Sequence, residues 1–241
     1  MIDYRTRIYD KYASRFQDAV ATFRADEAAR WGRPYARYLA GWLPADADAE
    51  IVDLACGHGK LLHCLRQRGF ANVRGVDRSP EQVAIARQTG IPVDEADVLD
   101  FLGGHRGRFD LITALDLVEH FRKEEVLAFL DLCHGALRPG GRLVLQTPNA
   151  DSPFGAQHRY NDFTHEVAFN PNALCRLLAL CGFSEVEARE QGPVAHGLAS
   201  GARCLAWGAL RLGLLAWNLA ETGSKGSGVL TRVFLCSGVR P

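Results

Sequence analysis

Apolar and polar positions along this 241-residue chain follow two rhythms. Short apolar runs at Ile51–Leu54, Val73–Asp77, Ile91–Val93, Phe109–Ala114, Arg142–Thr147 and Ser184–Arg189 predict strands. Between them the spacing turns helical. A helix is expected from Lys60 to Arg68, stopped by Gly69. Ser79-Pro80-Glu81-Gln82 predicts another start, with Ser79 as N-cap, Pro80 in the first turn and Gln82 completing a capping box. Val126, Phe129, Leu130, Cys133 and Leu137 share one helical face. Asn170-Pro171 opens a helix that buries Leu174, Leu177, Leu178 and Cys181 and closes at Gly182. Strands alternating with helices require parallel pairing and right-handed crossovers. The expected fold is therefore an α/β doubly wound sheet whose ligand site lies at the carboxyl ends of the strands, near the switch point.

The two ends of the chain depart from this rhythm. Residues 1–43 read as helical, with Tyr4, Tyr9, Tyr12, Phe16 and Phe23 scattered among eight basic and five acidic residues up to Arg37. Pro44 and the alternating Ala/Asp run behind it form a connector. This divides the chain into an amino-terminal helical cap, 1–44, and a main domain, 45–241. Near the other end, 16 of the 23 residues from 198 to 220 are apolar, with Arg203 and Arg211 the sole charges. A bilayer span needs about 20 residues, so three readings stand open: packing on the protein's own core or on a second copy in a homodimer, peripheral contact with the inner membrane surface, and a true span. The two arginines weigh against a span, since a central arginine costs roughly 2.5–3.5 kcal/mol on insertion scales. Val229–Cys236 then returns as an apolar strand.

Charge and composition narrow the class. The 28 basic and 28 acidic residues cancel, which argues against a protein that wraps nucleic acid. The charged start Met1–Arg5 argues against export. Seven cysteines, an odd number with no C-x-x-C pair, read as buried apolar side chains in a reducing, cytoplasmic compartment.

The candidate chemistry begins at Ala55-Cys56-Gly57-His58-Gly59. Glycines after a first strand let the backbone approach a ligand and leave N–H groups free at a helix start. A dinucleotide fingerprint wants a third glycine where this chain has Leu62. Asp77, ending the second strand, suits a ribose diol. The pair reads as a nucleoside site without a pyrophosphate.

Ile51–Gly59 resembles the first motif of class I S-adenosylmethionine-dependent methyltransferases. Val76-Asp77-Arg78-Ser79-Pro80-Glu81-Gln82, Ala96-Asp97-Val98, Ala114–Phe121 and Leu137–Leu143 resemble later motifs in the family's order, over about residues 45–190. The resemblance implies a Rossmann-like sheet of seven strands, the last antiparallel and paired with the sixth, with a helical insertion at 198–220 before it. It implies S-adenosylmethionine as cofactor, leaving as S-adenosylhomocysteine, held by Asp53, Ala55, Cys56, Gly57, Gly59, Asp77, Arg78, Gln82, Asp97, Val98, Asp116 and His120. Within that set Asp77 would grip the ribose, Asp97 the adenine amino group, and Cys56 would be a wall rather than a nucleophile. Ala55 stands where the family usually has glycine, and only a slight shift of the loop is expected.

Methyl transfer to a hydroxyl benefits from a base. His165 is the first candidate, with Asp162 to orient it, and His120 the second. The polar segment 147–166, at the ligand end, is expected to meet the acceptor through Asn149, His158, Arg159 and Tyr160, with Tyr4 and Tyr12 contributed by the opening segment acting as a lid. His158, Asp162 and His165 match no metal-ligand spacing, so no metal is expected. Tyr4–Tyr12, Asp162–Glu166 and Ala220-Glu221-Thr222-Gly223 resemble bacterial methyltransferases associated with polysaccharide and glycolipid biosynthesis. That implies O-methylation of a sugar or glycan hydroxyl. A non-carbohydrate small molecule, methylated on oxygen or nitrogen, and a non-catalytic cofactor-binding scaffold are the rivals.

Overall fold

The structure, a computed structural model, describes residues 4–9, 11–16 and 22–241. Four short helices come first: α1 (Tyr4–Tyr9), α2 (Tyr12–Phe16), α3 (Ala25–Gly32) and α4 (Tyr35–Tyr38). Residues 1–3, 10 and 17–21 of the expected cap fall outside the described residues. The wound part then runs β1 (Ile51–Leu54), α5 (Lys60–Gln67), β2 (Val73–Asp77), α6 (Pro80–Ala86), β3 (Val93–Glu95), α7 (Val98–Gly103), β4 (Phe109–Leu115), α8 (Lys123–Ala136) and β5 (Leu137–Pro148). It closes with α9 (Gly155–Asn161), α10 (Pro171–Leu180), β6 (Ser184–Glu190), α11 (Leu198–Thr222) and β7 (Val233–Val239).

The seven strands form one sheet in the order β3-β2-β1-β4-β5-β7-β6. The first five strands in the chain pair in parallel, whereas β7 runs antiparallel to both β5 and β6. Strand order reverses between β1 and β4, so a cleft opens at their carboxyl ends. Alternate residues face opposite layers. Val52, Leu54, Ile112, Leu143 and Leu145 pack with Phe129, Leu130, Cys133, Leu174 and Leu178 of α8 and α10. On the other face Ile51, Val73, Leu111 and Val144 meet Leu39, Trp42, Leu61, Leu62 and Leu65. Full burial of each such aliphatic side chain contributes roughly 1.5–3 kcal/mol. At the bend leading into β5, a Cβ on Gly141 would lie 2.9 Å from the Phe109 carbonyl, so only glycine lets these strands pair there.

Three expectations change. Ser79 is the N-cap of α6, but its hydroxyl makes no capping bond, and Gln82 does not complete the box, because the Ser79 backbone N–H is taken by Asp77 Oδ1 at 2.8 Å while Gln82 faces the cleft. The third strand begins at Val93, where the expected Ile91 and Pro92 lead in. The last strand starts at Val233 rather than Val229. The buried Asn149 amide donates to the Val229 and Thr231 carbonyls (both 2.9 Å), holding that stretch off the sheet. The apolar segment is helical, as expected, yet among the described residues no helix is long and apolar enough to cross a membrane. Its two flanking strands belong to the same sheet, which excludes a single span.

Candidate active site

A cavity of about 580 Å³ opens at the carboxyl ends of β1, β2 and β4. At the end of β1, Asp53 accepts a hydrogen bond from the Thr113 hydroxyl at 2.7 Å. Burial pushes its carboxyl up to about 7, against the pull of that hydrogen bond. The chain then turns through Ala55, in the left-handed region at φ 52°, and Gly57 at φ 53°. This turn lets the Gly57 N–H donate to Asp77 Oδ2 at 2.9 Å while the Ser79 N–H takes Oδ1. Asp77 is thereby fixed at the mouth of β2. Burial raises its carboxyl, partly offset by these backbone donors. Asp97 caps α7 through the Leu99 N–H (2.9 Å) and lies beside Arg78, with Val98 next to it in the wall. Across the cleft, Asp116 follows β4, also left-handed at φ 53°, and accepts from Gln146 Nε2 at 2.8 Å. Its carboxyl opens onto the cavity, but the surrounding protein raises it to about 6.

The far end of the cavity is built from three separate stretches. Thr164 donates its hydroxyl proton to Asp162 Oδ1 (2.6 Å) and lies 2.8 Å from His120 Nδ1. Asp162 also accepts from its Thr164 N–H (2.8 Å) and from the Tyr12 hydroxyl (2.6 Å). Against the upward push of burial, these bonds hold the Asp162 carboxyl below its ordinary value. Because the Thr164 proton goes to an ionised carboxylate, its oxygen accepts from His120, which assigns the Nδ1–H tautomer and leaves Nε2 basic. Burial, reinforced by His165, lowers His120 to about 4, so the ring is neutral at neutral pH. His165 packs edge-on against His120, 4.7 Å between centroids, and is likewise lowered by burial. Tyr9 stands 6.4 Å from the His120 ring and 5.0 Å from the Arg78 guanidinium, so α1 overlies both ends of the cleft. Arg5 anchors that helix with a two-pronged pair to Glu125 at 2.8 and 2.9 Å.

Of the residues expected in the site, Asp53, Ala55, Cys56, Gly57, Asp77, Arg78, Gln82, Asp97, Val98, Asp116, His120, His158, Asp162, His165 and Tyr12 line this cavity. Cys56 is a buried wall whose thiol burial pushes well up, which suits no nucleophile. Five others lie elsewhere. Gly59 is buried beneath the loop, where a Cβ would crowd Thr89 and Ala86. Asn149 is fully buried and spends its amide on the lead-in to β7. Arg159 donates to the His165 and Glu166 carbonyls, which orders the insert from within. Tyr160 points to solvent beside Arg159. Tyr4 bonds Glu166 and fastens α1 to the 147–166 segment rather than facing the cavity.

Sequence reasoning passed over Glu119 and Thr164. Glu119 is 2% exposed, and neither carboxylate oxygen has a hydrogen-bond partner among the described residues. Burial, then the nearby Asp116 charge, raises its carboxyl strongly. The signal was present: an acid directly after Leu117-Val118 and directly before His120. Ligand atoms of Glu119, His120 and His165 lie within 4.8 Å of one another, a set that can hold a divalent cation. This grouping differs from the His158, Asp162 and His165 set weighed in the sequence.

The cleft suits a nucleoside carrying positive charge. Asp77 has lone pairs left over for hydroxyl donors, Asp53 and Asp116 both line the cavity, and a Cβ on Gly57 would meet only Gln82 Oε1, at 3.7 Å. The family model for a methyltransferase domain matches residues 23–188. Over 109 residues the chain is 32% identical to the ubiquinone biosynthesis O-methyltransferase of Pseudomonas aeruginosa strain UCBPP-PA14, covering 43% of this chain and 46% of that protein. The Xylella fastidiosa strain 9a5c protein of the same name is 35% identical over 107 residues, covering 42% of each. The chain thus spans less than half the length of the curated relatives it matches. A SAM-dependent methyltransferase from Archaeoglobus fulgidus superposes over 98% of this chain and 100% of its own, with a TM-score of 0.64 at 17% identity. Phosphoethanolamine N-methyltransferase 2 of Haemonchus contortus, solved with S-adenosyl-L-methionine, covers 97% of this chain and 60% of its own, with a TM-score of 0.62 at 12% identity. With the matched model spanning more than half its length, the chain belongs to the methyltransferase-domain family and carries a class I S-adenosylmethionine-dependent methyltransferase domain.

Proposed function

We propose that the protein O-methylates a hydroxyl of a polyhydroxylated acceptor, a sugar or glycan, with His120 taking the hydroxyl proton. When bound, S-adenosylmethionine supplies a sulfonium-activated methyl group whose departing bond returns its electron pair to sulfur. Asp77 fits the ribose hydroxyls, Asp97 and Val98 the base, and Asp53, Asp116 and the Gly57 turn the charged amino-acid end. The remaining work is positioning. His120 Nε2 accepts the proton as the acceptor oxygen bonds to the methyl carbon. The charge that develops on the ring is balanced through Thr164 by Asp162. His165, first choice on sequence grounds, stands beside this base and faces the same space.

The observation that carries the reading is the His120–Thr164–Asp162–Tyr12 chain. An amine can attack with its proton still in place, whereas a hydroxyl needs such an acceptor. Hydrogen-bonding side chains around it (Tyr12, His158, Asn161, His165) favour a polyhydroxylated acceptor. The Pseudomonas and Xylella relatives support a second reading, a phenolic hydroxyl, for which Tyr9 and Phe121 offer ring contacts.

The test is a methyl-transfer screen with isotopically labelled cofactor against nucleotide sugars, lipid-linked sugars, phenols and amines, read by mass spectrometry. Labelled sugar product is expected. Label on phenols alone would replace the acceptor class, and label on amines alone would overturn O-methylation. Cofactor binding without transfer to any acceptor would favour a scaffold.

A further inference from the structure

The helix α11 carries a surface unrelated to the cavity. Its inward stripe is Cys204, Trp207, Arg211 and Asn218. Cys204 Sγ lies 3.3 Å from the Pro193 carbonyl, and Arg211 reaches Glu190 at 3.0 Å and the Gly228 carbonyl at 2.8 Å. Trp207 packs at Gly192. The opposite face is bare. Leu198, Leu205, Leu212 and Leu219 recur every seven residues and are between 47% and 97% exposed. Ala202, Ala209 and Ala216 fall four residues after each of the first three and are exposed as well. Spacing of four and three, held over seven positions, is the heptad seam of a coiled coil.

The neighbours of the seam carry independent information. Gly201, Gly208 and Gly213 sit in the helix interior on its flanks, where glycine is unfavourable. A Cβ on any of the three would meet nothing within 4 Å in this chain, so intrachain packing does not explain them. Small residues at such places let a second helix come close. The flanks hold Ala199, Ala206, Leu215, Ala220 and Thr222 besides, with no charge among them. A helix lying in a membrane interface would instead show a strongly basic polar face.

We infer that the exposed leucine–alanine seam of α11 pairs with the same seam of a second copy of this chain, antiparallel, about a two-fold axis. Parallel pairing would stack leucine on leucine and alanine on alanine, giving layers of unequal thickness. Antiparallel pairing sets Leu212 against Ala209 of the second copy, Leu205 against its Ala216 and Leu219 against its Ala202. Each of these layers joins a large side chain to a small one, Leu198 falls opposite the Gly223 cap, and the helices close evenly. The arrangement is isologous and closes on itself, as a dimer must. A 25-residue helix is about 37 Å long. The four seam leucines of each copy, 47% to 97% exposed, are the surface that this pairing buries toward the roughly 800 Å² per partner found in stable complexes.

The test uses the full chain in sedimentation velocity over a hundredfold concentration range. Twice the subunit mass is expected. Leu212→Lys and Ala209→Glu each should halve it, with circular dichroism and cofactor affinity unchanged, since both positions are exposed and far from the cavity lining. Combining the two should restore the doubled mass, because the antiparallel register brings Lys to Glu, whereas a parallel one opposes like charges. A wild-type chain at subunit mass throughout, including one that instead floats with anionic phosphatidylglycerol vesicles, overturns the proposal. A doubled mass that survives Leu212→Lys also overturns it. A combined variant that stays at subunit mass overturns the antiparallel register.

Discussion

The two ends of the cavity are held together by different means. At the cofactor end, Asp77 is fixed by backbone N–H groups of Gly57 and Ser79, and Asp53 by Thr113 on the adjacent strand. At the acceptor end, His120, Thr164, Asp162 and Tyr12 come from three stretches of chain, and the bonds that join these four residues from one stretch to another run between side chains. A site sewn by the backbone of a rigid sheet keeps its geometry whatever the loops do. A site sewn by side chains of a lid and an insert can change acceptor without disturbing the donor. The two ends should therefore fail separately.

The largest effect is expected from Asp77→Ala. It removes a buried charged acceptor from two backbone donors and from the ribose hydroxyls, so cofactor affinity should fall roughly 100-fold, about 3 kcal/mol. Titration calorimetry reads it directly. His120→Ala should next lower the transfer rate by about 10²-fold or more while cofactor affinity stays put. A rate loss matched by an equal affinity loss would join the two ends and break the comparison.

The difference also explains what could be read in advance. Asp53, Gly57 and Asp77 lie within one strand–turn–helix–strand unit, where local spacing determines spatial proximity. Asn149 and Tyr160 belong to a polar, aromatic insert that resembles a binding loop in composition. Yet Asn149 is committed to carbonyls 80 and 82 positions away, a pairing that no local pattern encodes. Thr164 was unremarkable until the fold set it between His120 and Asp162. At 198–220 the apolar count alone was read and the heptad of α11 was not, because a run of leucines acquires meaning as a seam only when the fold leaves it outside the core.

A third prediction concerns pH. Asp53 titrates at about 7 in the folded chain against 3.8 unperturbed, so the folded state binds more protons between those values. Stability of the cofactor-free protein should then fall as pH rises toward about 7. Glu119 adds to the same sign. His120, lowered to about 4, and the likewise lowered His165 act oppositely, adding stability as pH rises, but that contribution fades above about pH 6.5 as the unfolded imidazoles lose their last protons. Between about pH 6.5 and 7.5 thermal stability without cofactor should decline. Over the same interval affinity for the sulfonium cofactor should tighten, because the carboxylates facing it ionise. Scanning calorimetry and binding titrations at matched pH check the two signs.

The smallest effect is expected at Ala55, left-handed at φ 52°. Ala55→Gly relieves roughly 1–2 kcal/mol of backbone strain and adds about 0.5–1 kcal/mol of chain entropy to the unfolded state. The net gain should be no more than about 1.5 kcal/mol, or ~3–6 °C in Tm, with cofactor affinity unchanged. Lost affinity would show that the strained alanine shapes the pocket.

The most direct test of the account is one calorimetric series, S-adenosylmethionine titrated into wild type, Asp77→Ala and His120→Ala. The account predicts one site per chain in wild type, the same site at unchanged affinity in His120→Ala, and a roughly hundredfold loss in Asp77→Ala. Equal affinity in all three proteins, or no binding to wild type, would contradict it.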